Sequence, residues 1–96
     1  MSTLSHAEAE SRLRDLPGWN LEGDAIHKQF VFRDFPRAVD FVARLVPGAE
    51  AADHHPDILI NYKRVTLTYS THSEGGLTAK DFEGARMAEQ VFGAAV

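Results

Sequence analysis

Three of the chain's five histidines, His54, His55 and His72, fall between Glu50 and Asp81. His54 and His55 are adjacent and followed by Pro56, a short apolar strand pattern, and an aromatic at Tyr62. Histidine is the side chain that gives or takes a proton near neutral pH without help. Three of them gathered by one β-hairpin point to proton-transfer chemistry on a small molecule. The other two, His6 and His27, read as a first-turn helix residue and a strand surface residue. Zinc binding is a second reading, since three imidazoles and a nearby carboxylate could hold an ion with one position open. Adjacent residues ligate one ion poorly, however, and no His-x-x-x-His pair is present. We therefore expect neither metal nor cofactor.

The elements that must position these groups are legible from periodicity. Ser5-His6-Ala7-Glu8 is a capping box opening a helix, with Ala9, Leu13 and Leu16 at helical spacing and Pro17-Gly18 as its stop. Trp19 and Leu21 begin a short strand, Glu22-Gly23-Asp24 is turn chemistry, and Ala25 to Arg33 forms the second arm of a hairpin. Ile26, Phe30 and Phe32 share one face of that arm. Asp34 caps the next helix, with Pro36 in its first turn and Ala38, Phe41, Val42 and Leu45 as its buried stripe. Pro47-Gly48 interrupts the pattern, and we expect a kink followed by a resumed helix through Ala52. Pro56 restricts His55 to an extended backbone, so the helix must be finished by about His54.

Asp57 to Tyr62 and Arg64 to Thr71 then alternate about a tight turn at Lys63. Val65, Leu67 and Tyr69 face one way and Thr66, Thr68 and Ser70 the other, as in an antiparallel sheet covered on one side. His54 precedes the first arm and His72 follows the second, so the pairing brings them to one end of the sheet. His72 to Gly76 reads as a flexible loop whose glycines allow close backbone approach, with Thr71 and Ser73 as hydrogen-bonding groups. Thr78-Ala79-Lys80-Asp81 is another capping box, leading a helix with Phe82, Ala85, Ala88 and Phe92 inward. The fold class is α+β, order α-β-β-α-β-β-α, one domain over 1–96, with three helices on one face of a four-stranded antiparallel sheet.

Composition narrows the function classes. Ninety-six residues make one core, and 44% hydrophobic with 25% charged residues is ordinary for a folded soluble protein. The ten Lys and Arg are scattered and the net charge is −4, so no direct nucleic-acid binding is expected. No cysteine is present, which removes thiolate chemistry and Cys-containing zinc sites. The N-terminus lacks a signal-peptide pattern and no segment approaches the ~20 apolar residues of a membrane span, so a cytoplasmic protein is expected.

Glu50, His54-His55-Pro56, Tyr62, His72 and Asp81, at their spacing, resemble the signature of the pterin-4a-carbinolamine dehydratases. Leu16-Pro17-Gly18-Trp19, Phe30 to Phe35 and Gly75-Gly76-Leu77-Thr78 extend the resemblance over the whole chain, and Pro47-Gly48 departs from it. The resemblance implies a hydro-lyase that dehydrates 4a-hydroxytetrahydropterin to the quinonoid dihydropterin, recycling the tetrahydrobiopterin of aromatic amino acid hydroxylases. It implies His54 and His72 as the acid/base pair, without saying which is which. His55 would be the third catalytic-site histidine, forming with Pro56 the wall that binds the pterin. Thr71, Ser73 and Glu74 match the substrate-contacting loop around His72, and Glu50 completes the set. Asp81 would orient a histidine or the pterin, although its capping position explains a carboxylate by itself. The family's members also serve as protein-binding modules, so a non-catalytic dimerisation or coactivator role is the alternative. A homo-oligomer, dimer or tetramer, is expected, with a hydroxylase as metabolic partner.

Overall fold

The computed structural model describes residues 3–95; Met1, Ser2 and Val96, the ends of the domain read over 1–96, lie outside them. Helix α1 (His6–Leu13) opens on the expected capping box, with Ser5 and Glu8 exchanging backbone-to-side-chain hydrogen bonds of 2.9 and 3.1 Å. Strands β1 (Asn20–Glu22) and β2 (Ala25–Val31) form the first hairpin. Helix α2 (Phe35–Ala52) follows, capped by Asp34, whose side chain accepts from the Arg37 N–H. Strands β3 (Asp57–Asn61) and β4 (Arg64–Tyr69) form the second hairpin, and α3 (Ala79–Ala95) closes the chain. The sheet is antiparallel throughout, in the order β1-β2-β4-β3.

Side-chain alternation sets which face the helices cover. Ile26 and Phe30 of β2 and Val65, Leu67 and Tyr69 of β4 are buried beneath Ala38, Phe41 and Leu45 of α2 and Phe82, Ala85 and Ala88 of α3. Phe30, Phe32, Phe41 and Phe92 form a ring cluster with centroids 5.0–6.1 Å apart. Each buried ring contributes about 1.5–3 kcal/mol by leaving water, so this cluster is the centre of cohesion. The Pro-Gly-Trp loop is pinned from outside it. The Trp19 indole N–H donates to Glu89 of α3 at 2.9 Å, and the Lys28 ammonium pairs with the same carboxylate at 2.6 Å.

One segment resumes as expected and one differs. Helix α2 continues through Pro47 to Ala52, because the stripe Ala38, Phe41, Leu45 and Ala49 stays buried on both sides of the proline. That burial outweighs the one backbone hydrogen bond a proline removes. The segment after β4 is a 3₁₀ turn over His72–Glu74, closed by Gly75 at φ 75° and by a bridge between Thr71 and Gly76. No helix of the described residues is long and apolar enough to cross a membrane.

Candidate active site

The end of α2 decides where the two adjacent histidines go. Asp53 stands in the left-handed region (φ 51°, ψ 43°), and its N–H donates to Glu50 while the His54 N–H donates to Ala49 at 3.2 Å each. These bonds form a Schellman-type helix ending, usually made with glycine; an aspartate tolerates the conformation at a modest cost. The chain then reverses sharply, and Pro56 keeps His55 extended. His54 turns inward, with its side chain 11% exposed, while His55 turns outward at 53%. Adjacent residues thus acquire different surroundings.

His54 meets the carboxylate of Asp81, Nε2 to Oδ1, at 2.6 Å. Asp81 lies in the first turn of α3 and is fully buried. Its other oxygen, Oδ2, accepts from the Thr71 hydroxyl at 2.8 Å and from the Thr78 backbone N–H at 2.9 Å. Since the Thr71 proton goes to Asp81, the Thr78 hydroxyl is the donor in its 2.8 Å contact with Thr71. Asp81 therefore has three donors from three elements, and a buried carboxylate needs all of them. One oxygen completes the helix cap and the other holds a histidine, so the two roles weighed for Asp81 coexist. The same network assigns the tautomer of neutral His54: the proton sits on Nε2, facing Asp81. Nδ1 makes no hydrogen bond among the described residues and is not among their buried unpartnered atoms. It remains open to exchange with a ligand.

Tyr69, the last residue of β4, backs this network. Its ring stacks on His54 at 6.1 Å between centroids and 24° between planes. Burial, then the nearby Asp81 charge, pushes the phenol up to about 12. No second anion forms beside Asp81 at ordinary pH.

The remaining site residues lie around this centre. His55 Nε2 pairs with Glu50 at 2.6 Å on the surface, beside an apolar groove lined by Val42, Val46, Pro56 and Ile58. His72 lines a separate cavity of about 310 Å³ on the open face of the sheet, with Asp24, Asp57, Thr68 and Ser70. Ser73 and Glu74 line a third hollow with Thr71 and Lys80. The three histidines stand at one end of the sheet but do not line one cavity. Covalent and hydrogen-bonded links join them: His54 to Asp81, Asp81 to Thr71, and Thr71 to its neighbour His72. Tyr62, at 61% exposure and φ 56°, makes the β3–β4 turn. Among the described residues no three His, Asp or Glu side chains are grouped as a metal ion would require. His6 and His27 pair with Glu10 and Glu22 away from the network.

A family model for pterin 4 alpha carbinolamine dehydratase matches residues 2–91. The chain belongs to that family. A Cyanothece sp. protein assigned to the pterin-4-alpha-carbinolamine dehydratases is 49% identical over 88 residues, covering 92% of this chain and 91% of the relative. Among solved structures, a transcriptional coactivator/pterin dehydratase from Brucella melitensis superposes with a TM-score of 0.89 at 38% identity, covering 93% of this chain and 97% of that one. A pterin dehydratase-like RuBisCO assembly factor of the alpha-carboxysome shares the fold at TM-score 0.61 and 18% identity, over 76% of this chain and 84% of that one. The family fold is therefore the α-β-β-α-β-β-α arrangement read from periodicity.

Two residues of this centre were not singled out as site residues. Thr78 was visible as a capping residue, which hid its link to Thr71. Tyr69 was visible only as an inward strand residue.

The Asp81→Asn chain tests the double role. Its amide can satisfy Thr78 and Thr71 through oxygen, but presents N–H rather than an acceptor to His54, forcing the other tautomer. We expect a loss of about 1–3 kcal/mol in a urea melt together with a rate loss on the order of 100-fold. Loss of stability alone would reduce Asp81 to a cap. A second test uses alkali. Because the folded pKa of Tyr69 is raised, its contribution to stability is intact below pH 10 and falls as the pH rises through about 12. In a Tyr62→Phe chain, leaving Tyr69 as the one tyrosine, phenolate absorbance should rise near pH 12; a rise at pH 10 would mean that water reaches the ring.

Proposed function

We propose that this protein is a 4a-hydroxytetrahydropterin dehydratase acting in the cytoplasm on the product of an aromatic amino acid hydroxylase, its metabolic partner. The observation that carries the reading is the buried His54–Asp81–Thr71 network, which fixes one imidazole nitrogen and leaves the other for the substrate. Family membership supplies the substrate class.

The reaction requires a proton at each of two positions. Protonation of the C4a hydroxyl lets it leave as water, while removal of the N5 proton lets the nitrogen electron pair form the C4a–N5 double bond. The quinonoid dihydropterin and water result, with no change of oxidation state and no requirement for an added cofactor. His54 and His72 share the acid and base roles, each capable of either near neutral pH. Asp81 supports the positive charge when His54 holds the extra proton. His55 and Pro56, with Glu50 behind them, form the wall against which the pterin rests. Thr71, Ser73 and Glu74 border it on the His72 side.

Exposed surface favours a second copy as partner. Phe35, Val39 and Val46 on α2 are 50%, 40% and 53% exposed, and β3 is an edge strand carrying Ile58 and Leu59 at 42% and 62%. An unpaired edge beside an apolar helix face is covered in a homo-oligomer, dimer or tetramer. The same surface would serve the non-catalytic interaction role.

Coupled decay of 4a-hydroxytetrahydropterin, generated by a hydroxylase, tests the main reading. Wild type should accelerate it, and His72→Ala should lower the rate by about 100-fold or more with the fold retained; His54→Ala should lose as much rate and also some stability, because Asp81 loses one of its donors. No acceleration by folded wild type would leave the interaction role as the better account. Light scattering on size-exclusion fractions tests the assembly: wild type should elute as an oligomer and Val46→Asp should shift toward monomer. A monomeric wild type would remove the oligomer from the proposal.

A further inference from the structure

We propose that Tyr69 is a positioning residue for His54, acting through its ring and not through its hydroxyl. The proposal rests on the dehydratase reading for its rate arm only.

A single hydrogen bond at Nε2 restrains the far end of an imidazole but leaves its plane free to swing about the Cβ–Cγ bond. Asp81 supplies that one bond to His54, at 2.6 Å. What remains is to fix the plane, because the direction of the Nδ1 lone pair turns with it. Proton transfer depends on that direction, and misplacement by about 1 Å can cost on the order of 100-fold in rate. A flat partner on the ring's face removes the swing. Tyr69 is that partner, nearly parallel at 24° and 6.1 Å.

The fold holds the tyrosine ring from two further sides. Trp19, buried itself, leans on it at 5.9 Å and 47°. On α3, Gly84 presents bare backbone to it: a Cβ there would stand 2.5 Å from Tyr69 Cε1 and 2.9 Å from Cζ. Glycine inside a helix is destabilising relative to alanine, so a helix that carries one where a ring needs the space is shaped around that ring. Tyr69 is thus immobile, and it transmits its position to His54.

The hydroxyl has no part in this. It is the one buried side-chain oxygen or nitrogen among the described residues without a hydrogen-bond partner. It touches neither Asp81 nor His54 by a hydrogen bond, although both lie close. A phenylalanine would offer the same flat face.

Two variants separate ring from hydroxyl, and a third approaches from the opposite side. Tyr69→Phe should keep wild-type kcat/KM in the dehydration assay and an unchanged or higher Tm. Tyr69→Leu should lose about tenfold in kcat/KM, mostly in kcat, since the pterin-binding wall is untouched. In ¹⁵N-resolved spectra, wild type and the Phe variant should show one sharp His54 Nε2–H resonance, and the Leu variant one broadened by exchange between ring orientations. If Tyr69→Leu does not fold, Gly84→Ala displaces the ring from the helix side and should give the same broadening. A Leu or Ala variant with a resonance as sharp as wild type overturns the proposal, and so does a Phe variant that loses as much rate as Leu. The spectra test Tyr69 without the assay, so a wild type inactive on the pterin would overturn the dehydratase reading alone.

Discussion

A buried carboxylate with three donors is the constraint on which the rest of this structure depends. Asp81 is fully enclosed, and an ionised carboxylate taken out of water is tolerated only when its lone pairs are occupied. Its donors come from the junction between α2 and β3, the second residue beyond β4, and the cap of α3. Loss of any one element would leave the charge underpaired, so the carboxylate ties helix, sheet and helix into a single arrangement. It also gives the candidate site and the fold a common part. The bond that caps α3 and the bond that orients His54 start from the two oxygens of one group.

The elements were legible because their periods are unambiguous. Val65, Leu67 and Tyr69 alternate with three hydroxyl residues, and all three apolar members are buried. The capping box at Ser5–Glu8 forms in full, and at Thr78–Asp81 the carboxylate half forms while the Thr78 hydroxyl accepts from the Lys80 N–H instead. At Pro47 local cost and the apolar pattern opposed each other, and the helix runs on to Ala52 as the pattern implied. Pro47 breaks the ladder of α2 at an exposed position, while Leu45 and Ala49 on either side remain buried. A penalty on the outer face does not end a helix whose inner face is still covered. The segment after His72 reads as a flexible loop because Gly75 and Gly76 are permissive, yet one of them, Gly75, supplies the left-handed residue that closes a defined 3₁₀ turn.

Which candidate residues gather at one end of the sheet was legible from spacing, and their geometry was not. Spacing placed His54 and His72 at one end of the hairpin, and the register Asp57 opposite Thr68 does put both flanks there. Spacing could not say that Asp53 takes a left-handed conformation, which sends His54 inward and His55 outward. Nor could it show that His72 opens on the uncovered face of the sheet while His54 sits under α3. Those facts depend on two dihedral angles and on the strand pleat. Tyr69 was hidden for a different reason: a core aromatic on an alternating strand needs no further explanation until its neighbours are known.

The arrangement also suggests why the two imidazoles are not equivalent. His54 is held by an anion, walled by an aromatic ring, and open at one nitrogen. His72 is exposed on a short turn among Asp57, Thr68 and Ser70, with water at hand. Under the proposed dehydration, His54 suits the group that keeps its geometry through the bond-breaking step and His72 the one that exchanges its proton with solvent between turnovers. Thr71 lies between them in the chain and bonds to Asp81, so any displacement of the His72 turn is felt by the carboxylate that holds His54. The coupling is short: one peptide bond and two hydrogen bonds. In a chain of 96 residues with a single core, that compactness makes the site inseparable from the fold. A carboxylate buried in the packing of three elements needs no separate scaffold to hold it.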